Sequence, residues 1–72
     1  MRTQMEYVVI VEQGETSFGA YVPDLPGCVA VGESRDEAME LIREAIEMHI
    51  ENLRENDEPI PPPHSFVEKI AV

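Results

Sequence analysis

The 72-residue chain has few of the residues that hold small proteins together by covalent or metal chemistry. Its one cysteine, Cys28, excludes an internal disulfide, and no Cys/His cluster offers metal-ligand spacing. The hydrophobic core of a single domain of this size gives only marginal stability unless a disulfide, a metal ion or self-association adds to it. We therefore expect one domain over residues 1–72, no metal or other cofactor, and self-association as a homodimer or tetramer.

Basic residues are also scarce, since five Lys and Arg stand against fifteen Asp and Glu and the net charge is −10. A protein that binds the phosphate backbone needs a basic surface to displace counterions. The chain has no Trp and four other aromatic residues, and these are not grouped with Lys or Arg as a base-stacking surface requires. The composition argues against direct nucleic-acid binding. It is typical either of a protein whose charged surface keeps it soluble or of a protein that binds a basic protein partner.

Long apolar runs are missing as well. Near the N-terminus the continuous aliphatic run extends only from Val8 to Val11, which is too short for a signal-peptide core or a membrane span. We expect a cytoplasmic protein with no membrane attachment.

The pattern of apolar and polar residues along the chain predicts an α+β domain. Val- and Ile-rich or alternating stretches separated by polar breaks are typical of strands, and a capped stretch with apolar residues at helical spacing is typical of a helix. The predicted strands cover residues 5–12, 17–22, 28–32 and 66–71, and the predicted helix covers residues 35–55. The element order is βββαβ.

The topology follows from connection rules. The first two strands form a hairpin around Gly14, and a helical crossover usually returns to a parallel strand of the same sheet. The run Val8 to Val11 is apolar on both faces, which favours a central position. We expect a four-stranded mixed sheet in the order 3-2-1-4 with one helix on one face. Val8 and Ile10 then point to the uncovered face if Tyr7 and Val9 face the helix, or the reverse, and a second copy or another partner should cover that face.

A tight turn is predicted over residues 25–28. Pro26 fixes φ at the second position of a turn, and Gly27 can take the positive φ that a type II turn needs next. Asp24 can cap this turn through its side chain. Ser34 and Glu37 follow as a capping box, so the helix should begin at about residue 35.

The order of these signals resembles one family. A strand that ends in Pro23-Asp24-Leu25-Pro26-Gly27-Cys28, a short apolar strand to Gly32, and a helix opened by Ser34 and Glu37 together look like the N-terminal domain of HicB-type antitoxins. The resemblance implies a truncated ribonuclease H fold and the inhibition of a small, basic, RNA-cleaving toxin of HicA type. Members of the family usually carry a C-terminal DNA-binding segment, which is not expected within residues 1–72.

The predicted helix carries a strip of glutamates opposite its apolar face. Its members recur at spacings of three and four residues, and they are Glu40, Glu44, Glu47, Glu51, Glu55 and Glu58. Such a strip is typical of a solvated helix face, and it can also steer a basic partner. The residues that we predict to bind a partner are Asp24, Leu25, Glu44, Glu47 and Glu51.

Catalysis is not expected. The chain offers no nucleophile with a neighbouring base, and a metal-nuclease interpretation lacks the acidic centre that it needs on the first strand. We therefore predict a protein that is not an enzyme. Two other hypotheses stay open: a self-assembling interaction module without a toxin, and a metal-dependent hydrolase using dispersed carboxylates such as Glu6 and Glu12.

Overall fold

The computed structural model describes residues 5–72, which form an antiparallel sheet and one helix packed on it. The elements are β1 (Ile10–Gln13), β2 (Phe18–Tyr21), β3 (Val29–Gly32) and α1 (Arg35–Glu55). The prediction of an α+β fold with three strands before one helix is confirmed. No helix within the described residues is long and apolar enough to cross a membrane.

The three strands lie in the order β1-β2-β3, which is the predicted order for this part of the sheet. The register pairs Ile10 with Tyr21 and Tyr21 with Val29, so these three side chains lie in one row across the sheet. The pair Val11 and Ala20 forms the neighbouring row, whose side chains point to the other face. The first strand is shorter than predicted, since its ladder begins at residue 10 and not at residue 5.

The predicted fourth strand over residues 66–71 is not a strand in the structure, and so the sheet has three antiparallel strands and not four mixed ones. The segment does pass beside the first strand, where Phe66 and Val67 lie next to Val8 and Ile10. The N–H groups just before this segment, at residues 64 and 65, donate to the side chain of Asp24, so no backbone ladder with β1 begins there. The likeness to a truncated ribonuclease H fold stays a prediction.

The core lies between the sheet and the helix and is small. Its buried apolar side chains are Ala20, Val22, Leu25, Cys28, Ala38 and Ile42. Tyr7, Val9 and Val11 pack against this cluster, so they face the helix and the alternate residues of the first strand face away from it. This decides between the two orientations that the sequence left open.

Both ends of the helix are capped. The Ser34 hydroxyl accepts from the Glu37 N–H at 3.1 Å, and the Glu37 carboxylate accepts from the Glu33 N–H at 2.7 Å, which confirms the predicted start. At the other end Asp57 has a φ of 53°, and the N–H groups of residues 57 and 58 donate to the carbonyls of residues 54 and 53. This is a Schellman motif, and it places Glu58 beyond the helix and outside the predicted glutamate strip.

The third strand approaches the first turn of the helix closely because residue 32 has no side chain. A Cβ added to Gly32 would lie 2.6 Å from the Ala38 nitrogen and 3.0 Å from the Ala38 Cα. Backbone atoms cannot move aside as a flexible side chain can.

We therefore expect Gly32→Ala to reduce the free energy of unfolding by about 1–3 kcal/mol, the usual cost of overpacking, as measured by chemical denaturation in dilute protein. The control is Gly19→Ala, because a Cβ at Gly19 meets no atom within 4 Å. Equal stability of the two variants would contradict this account of the strand–helix contact.

Candidate functional site: a clamped loop and an acidic helix face

The loop between β2 and β3 is built from two successive turns. The Leu25 N–H donates to the Val22 carbonyl, the Cys28 N–H donates to the Leu25 carbonyl, and Gly27 has a φ of 84°. The predicted turn over residues 25–28 is confirmed, with Pro26 and Gly27 in the expected places. Leu25 is fully buried under this loop and anchors it to the core.

Asp24 has a different role from the predicted turn cap. Its carboxylate is buried, with a side chain 1% exposed, and it accepts hydrogen bonds from the N–H groups of His64 and Ser65 at 2.9 and 3.0 Å. The Ser65 hydroxyl donates to the other carboxylate oxygen at 2.6 Å. The side chain thus joins the β2–β3 loop to residues 59–65, which we call the proline strap. The sequence did not reveal this contact, since His64 and Ser65 lie 40 and 41 residues after Asp24 along the chain.

The His64 ring completes the contact. Its Nδ1 lies 3.1 Å from the carboxylate of Asp24 and 3.2 Å from the Pro62 carbonyl oxygen. Both neighbours are acceptors, so Nδ1 carries the ring proton in this arrangement. The Tyr7 hydroxyl donates to the Pro61 carbonyl at 2.6 Å, which fixes the strap at a second point.

Hydrogen bonding sets the charge state of this cluster. The hydrogen bond from the Ser65 hydroxyl, helped by the two N–H groups and by His64, holds the pKa of Asp24 below its ordinary value of 3.8 even though burial opposes this shift. Burial, and then the charge of Asp24, raise the pKa of Tyr7. Burial also raises the pKa of the Cys28 thiol, which keeps it protonated and poorly nucleophilic at neutral pH.

The glutamate strip lies on the exposed side of α1, opposite Ala38 and Ile42. Glu44, Glu47 and Glu51 are all exposed and follow one another along this side. They are free to meet a partner. Asp24 and Leu25, in contrast, are covered by their own chain in this conformation, and their predicted contact with a partner stays a prediction.

An open groove of about 560 Å³ runs between the β2–β3 loop and the C-terminal half of the helix. Val29, Ala45 and Met48 give it apolar walls, while Glu51 and Glu55 stand on its helix side. The groove therefore combines apolar surface with two carboxylates of the strip. The sequence offered no means of predicting that Met48 lies beside Val29.

The described residues contain no group of three or more His, Cys, Asp or Glu side chains arranged to hold a metal ion. The site that the structure does show consists of exposed carboxylates, an apolar groove and a clamped loop. This arrangement is suited to contact with another macromolecule.

The Asp24 cluster makes a test by pH possible. A carboxyl group whose pKa is lowered by folding stabilises the protein above its unfolded pKa and loses that effect as the pH falls through the folded pKa. We expect Asp24→Asn to lower Tm at neutral pH, and we expect the Tm difference from the wild type to shrink as the pH falls below 3.8. Thermal denaturation followed by circular dichroism over a series of pH values measures both effects.

The matched control is Glu51→Gln, an exposed carboxylate with no hydrogen bond among those of the described residues. Its Tm difference should stay small throughout the pH series. A Tm difference for Asp24→Asn that is constant with pH would show that the charge of Asp24 does not clamp the strap.

The chain is similar in sequence to several known proteins. The chain is 41% identical over 58 residues to a UPF0150 protein of Thermoplasma acidophilum, a match that covers 79% of this chain and 84% of that protein. It is 40% identical over 57 residues to an uncharacterized 14.9 kDa protein in the rep-hol intergenic region of Haemophilus phage HP1, of which only 43% is covered. A UPF0150 protein of Synechocystis is 33% identical over 67 residues, covering 92% of this chain and 85% of that protein.

The family assignment rests on nearly the whole described chain. Residues 7–71 match the family model described as HicB-like antitoxin of bacterial toxin-antitoxin systems. The matched range includes the β2–β3 loop, the helix and the proline strap with its anchors Asp24 and Ser65. The chain belongs to the HicB-like antitoxin family.

Proposed function

We propose that the chain is an antitoxin that binds a small, basic, RNA-cleaving toxin of HicA type and inhibits it in the cytoplasm. The observation that carries this proposal is the row of exposed glutamates on α1, in a member of an antitoxin family with a net charge of −10. A surface that binds the RNA backbone carries basic residues, and an acidic protein that competes with RNA for that surface gains charge complementarity.

Inhibition in this proposal is steric and electrostatic. The glutamate strip approaches the basic surface of the toxin, and the groove beside Met48 accepts an apolar side chain of the same partner. Phosphates of the RNA can no longer reach the covered surface. No residue of this chain needs to act as a catalyst, so the proposal includes the absence of enzymatic activity.

The clamped loop contributes indirectly. Leu25 and Asp24 fix the loop that forms one wall of the groove, through the core and through the strap respectively. A loop that is held in one conformation loses less conformational entropy on binding than a mobile loop does. We propose that these two residues shape the partner site from below its surface.

A second candidate is a self-assembling module without a toxin. The exposed apolar side chains outside the glutamate strip, such as Val29, Val31 and Phe66, favour association of some kind. Stoichiometric inhibition of a toxin distinguishes the first candidate from this one.

The test uses purified HicA-type toxin from the same organism and a labelled RNA. We expect the wild-type chain to block RNA cleavage at a stoichiometric ratio. Reversing Glu44, Glu47 and Glu51 to Lys should slow association with the toxin by about tenfold or more at low salt, because steering by charge acts mainly on the association rate. Stopped-flow or surface-based kinetics gives the rate.

The matched control reverses three exposed glutamates away from the strip: Glu6, Glu15 and Glu33. It changes the net charge by the same amount, so any effect of total charge alone appears in both variants. Equal slowing by both would remove the strip as the binding surface. Failure of the wild type to inhibit the toxin would favour the module without a toxin.

A further inference from the structure

The groove beside the β2–β3 loop combines two kinds of surface. Val29 on the side of the loop and Met48 on the side of the helix are 64% and 70% exposed, so two large apolar side chains line the same open space. The helix side of the groove also carries Glu51 and Glu55, which are both exposed. A ligand that matches this groove covers apolar surface and at the same time satisfies negative charge.

We propose that the groove binds an arginine side chain of the partner, with its methylene stem between Val29 and Met48 and its guanidinium group on Glu51 and Glu55. The inference deepens the proposed function, on which it rests for a basic toxin as the source of the arginine. The groove has a volume of about 560 Å³. Sites for whole small molecules have volumes of about 300–1,000 Å³, so an arginine and the apolar side chain beside Met48 can enter together.

The helix places the two carboxylates next to each other. Glu51 and Glu55 are four residues apart, and helix neighbours at this spacing have Cβ atoms about 5–6 Å apart. Met48 precedes Glu55 by seven residues, which is almost two full turns, so the two side chains lie on the same side of the helix. Like charges at a spacing of four residues repel each other, and a cation between them relieves the repulsion. A cation therefore has two carboxylate partners directly beside an apolar wall.

The surroundings of these carboxylates also favour a cation. None of the described residues that line the groove is Lys or Arg. The salt bridge that the structure shows within residues 5–72 joins His64 to Asp24, and so it does not involve Glu51 or Glu55. Glu55 is also the last residue of α1, where the helix dipole has its negative end. A cationic group that a partner brings to the groove therefore finds both carboxylates available.

Arginine matches this surface better than lysine does. Its guanidinium group is planar and weakly hydrated and has five N–H donors that can reach two carboxylates at once, whereas the lysine ammonium group is strongly hydrated. The methylene stem of arginine can lie on apolar surface while the charged end stays near water. The side-chain oxygen of Asn52, which also lines the groove, is a further acceptor.

Other occupants match the groove less well. A purely apolar side chain that covered Glu51 and Glu55 would remove water from them and give no hydrogen bond in return, which is costly. A phosphate group would be repelled by the same two carboxylates. An arginine, in contrast, is a residue that a surface for RNA phosphates is expected to carry, and so it agrees with the proposed partner.

Titration of the isotope-labelled 72-residue chain with Nα-acetyl-arginine methylamide, followed by NMR at constant ionic strength, tests the inference without the toxin. We expect the amide signals of Gly27, Val29 and Asn52 to shift and to saturate as the groove fills. The control probe is Nα-acetyl-citrulline methylamide, which has a similar shape but no charge and should leave these signals in place. The double variant Glu51→Gln/Glu55→Gln should show no saturable shift with either probe.

Three results of this titration would overturn the inference. They are the absence of a saturable shift with the arginine probe, equal shifts with the two probes, and equal shifts in the wild type and the double variant. Glutamine has nearly the size of glutamate, and both positions are exposed. Circular dichroism should therefore show the same fold for the variant and the wild type.

Dissociation kinetics shows whether the toxin supplies the arginine. We expect Glu51→Gln/Glu55→Gln to raise the rate of dissociation from the HicA-type toxin by about tenfold or more, because the loss of one partner of a covered charge pair acts mainly on dissociation. The matched control is Glu6→Gln/Glu15→Gln, which removes the same charge from exposed positions outside the groove and should leave the dissociation rate unchanged. Equal dissociation rates of the two variants would exclude the toxin as the source.

The two measurements separate the inference from the proposed function. A chain that inhibits the toxin but shows no shift specific to the arginine probe overturns the groove inference alone. A chain whose groove binds the arginine probe but which does not inhibit the toxin overturns the proposed function and leaves the arginine site in place.

Discussion

The buried carboxylate of Asp24 is the interaction on which the rest of this structure depends. It accepts three hydrogen bonds from residues 64 and 65, and it does so from within the loop that joins β2 to β3. The hydrogen bond from the Tyr7 hydroxyl to the Pro61 carbonyl is a second point at which the chain beyond the helix is held. A buried carboxylate with these partners is well solvated by the protein, whereas one without them would be strongly destabilising. The clamp therefore forms as a unit and fixes both the loop and the strap.

The clamp also fixes two features of the surface. On one side the β2–β3 loop, held from below, forms a wall of the groove that continues into the glutamate strip. On the other side Phe66 and Val67, which follow the strap, lie beside Val8 and Ile10. The acidic surface is suited to a basic partner.

The sequence predicted what depends on neighbouring residues and missed what depends on distant ones. The turn at Pro26 and Gly27 and the cap at Ser34 and Glu37 were predictable because each is decided within four residues. The β1-β2-β3 order followed from short connections. Asp24 was misassigned as a turn cap because its partners lie about forty residues away, and no local pattern reveals such a contact. The fourth strand was overpredicted for the same reason, since propensity at residues 66–71 gave no information about where the preceding N–H groups donate.

The glutamate strip is the feature for which stability within the chain offers no reason. Each pair of like charges four residues apart costs about 0.2–0.5 kcal/mol in a helix, and within residues 5–72 the structure pairs neither Arg43 nor Arg54 with a carboxylate. The helix tolerates this repulsion because its ends are capped by Ser34 and by the Schellman motif at Asp57, and because Ala38 and Ile42 are buried against the sheet. Solubility alone is served as well by interspersed charges of both signs, which would add favourable pairs in place of repulsive ones. Binding of the basic partner that we propose would relieve the repulsion that the free helix carries.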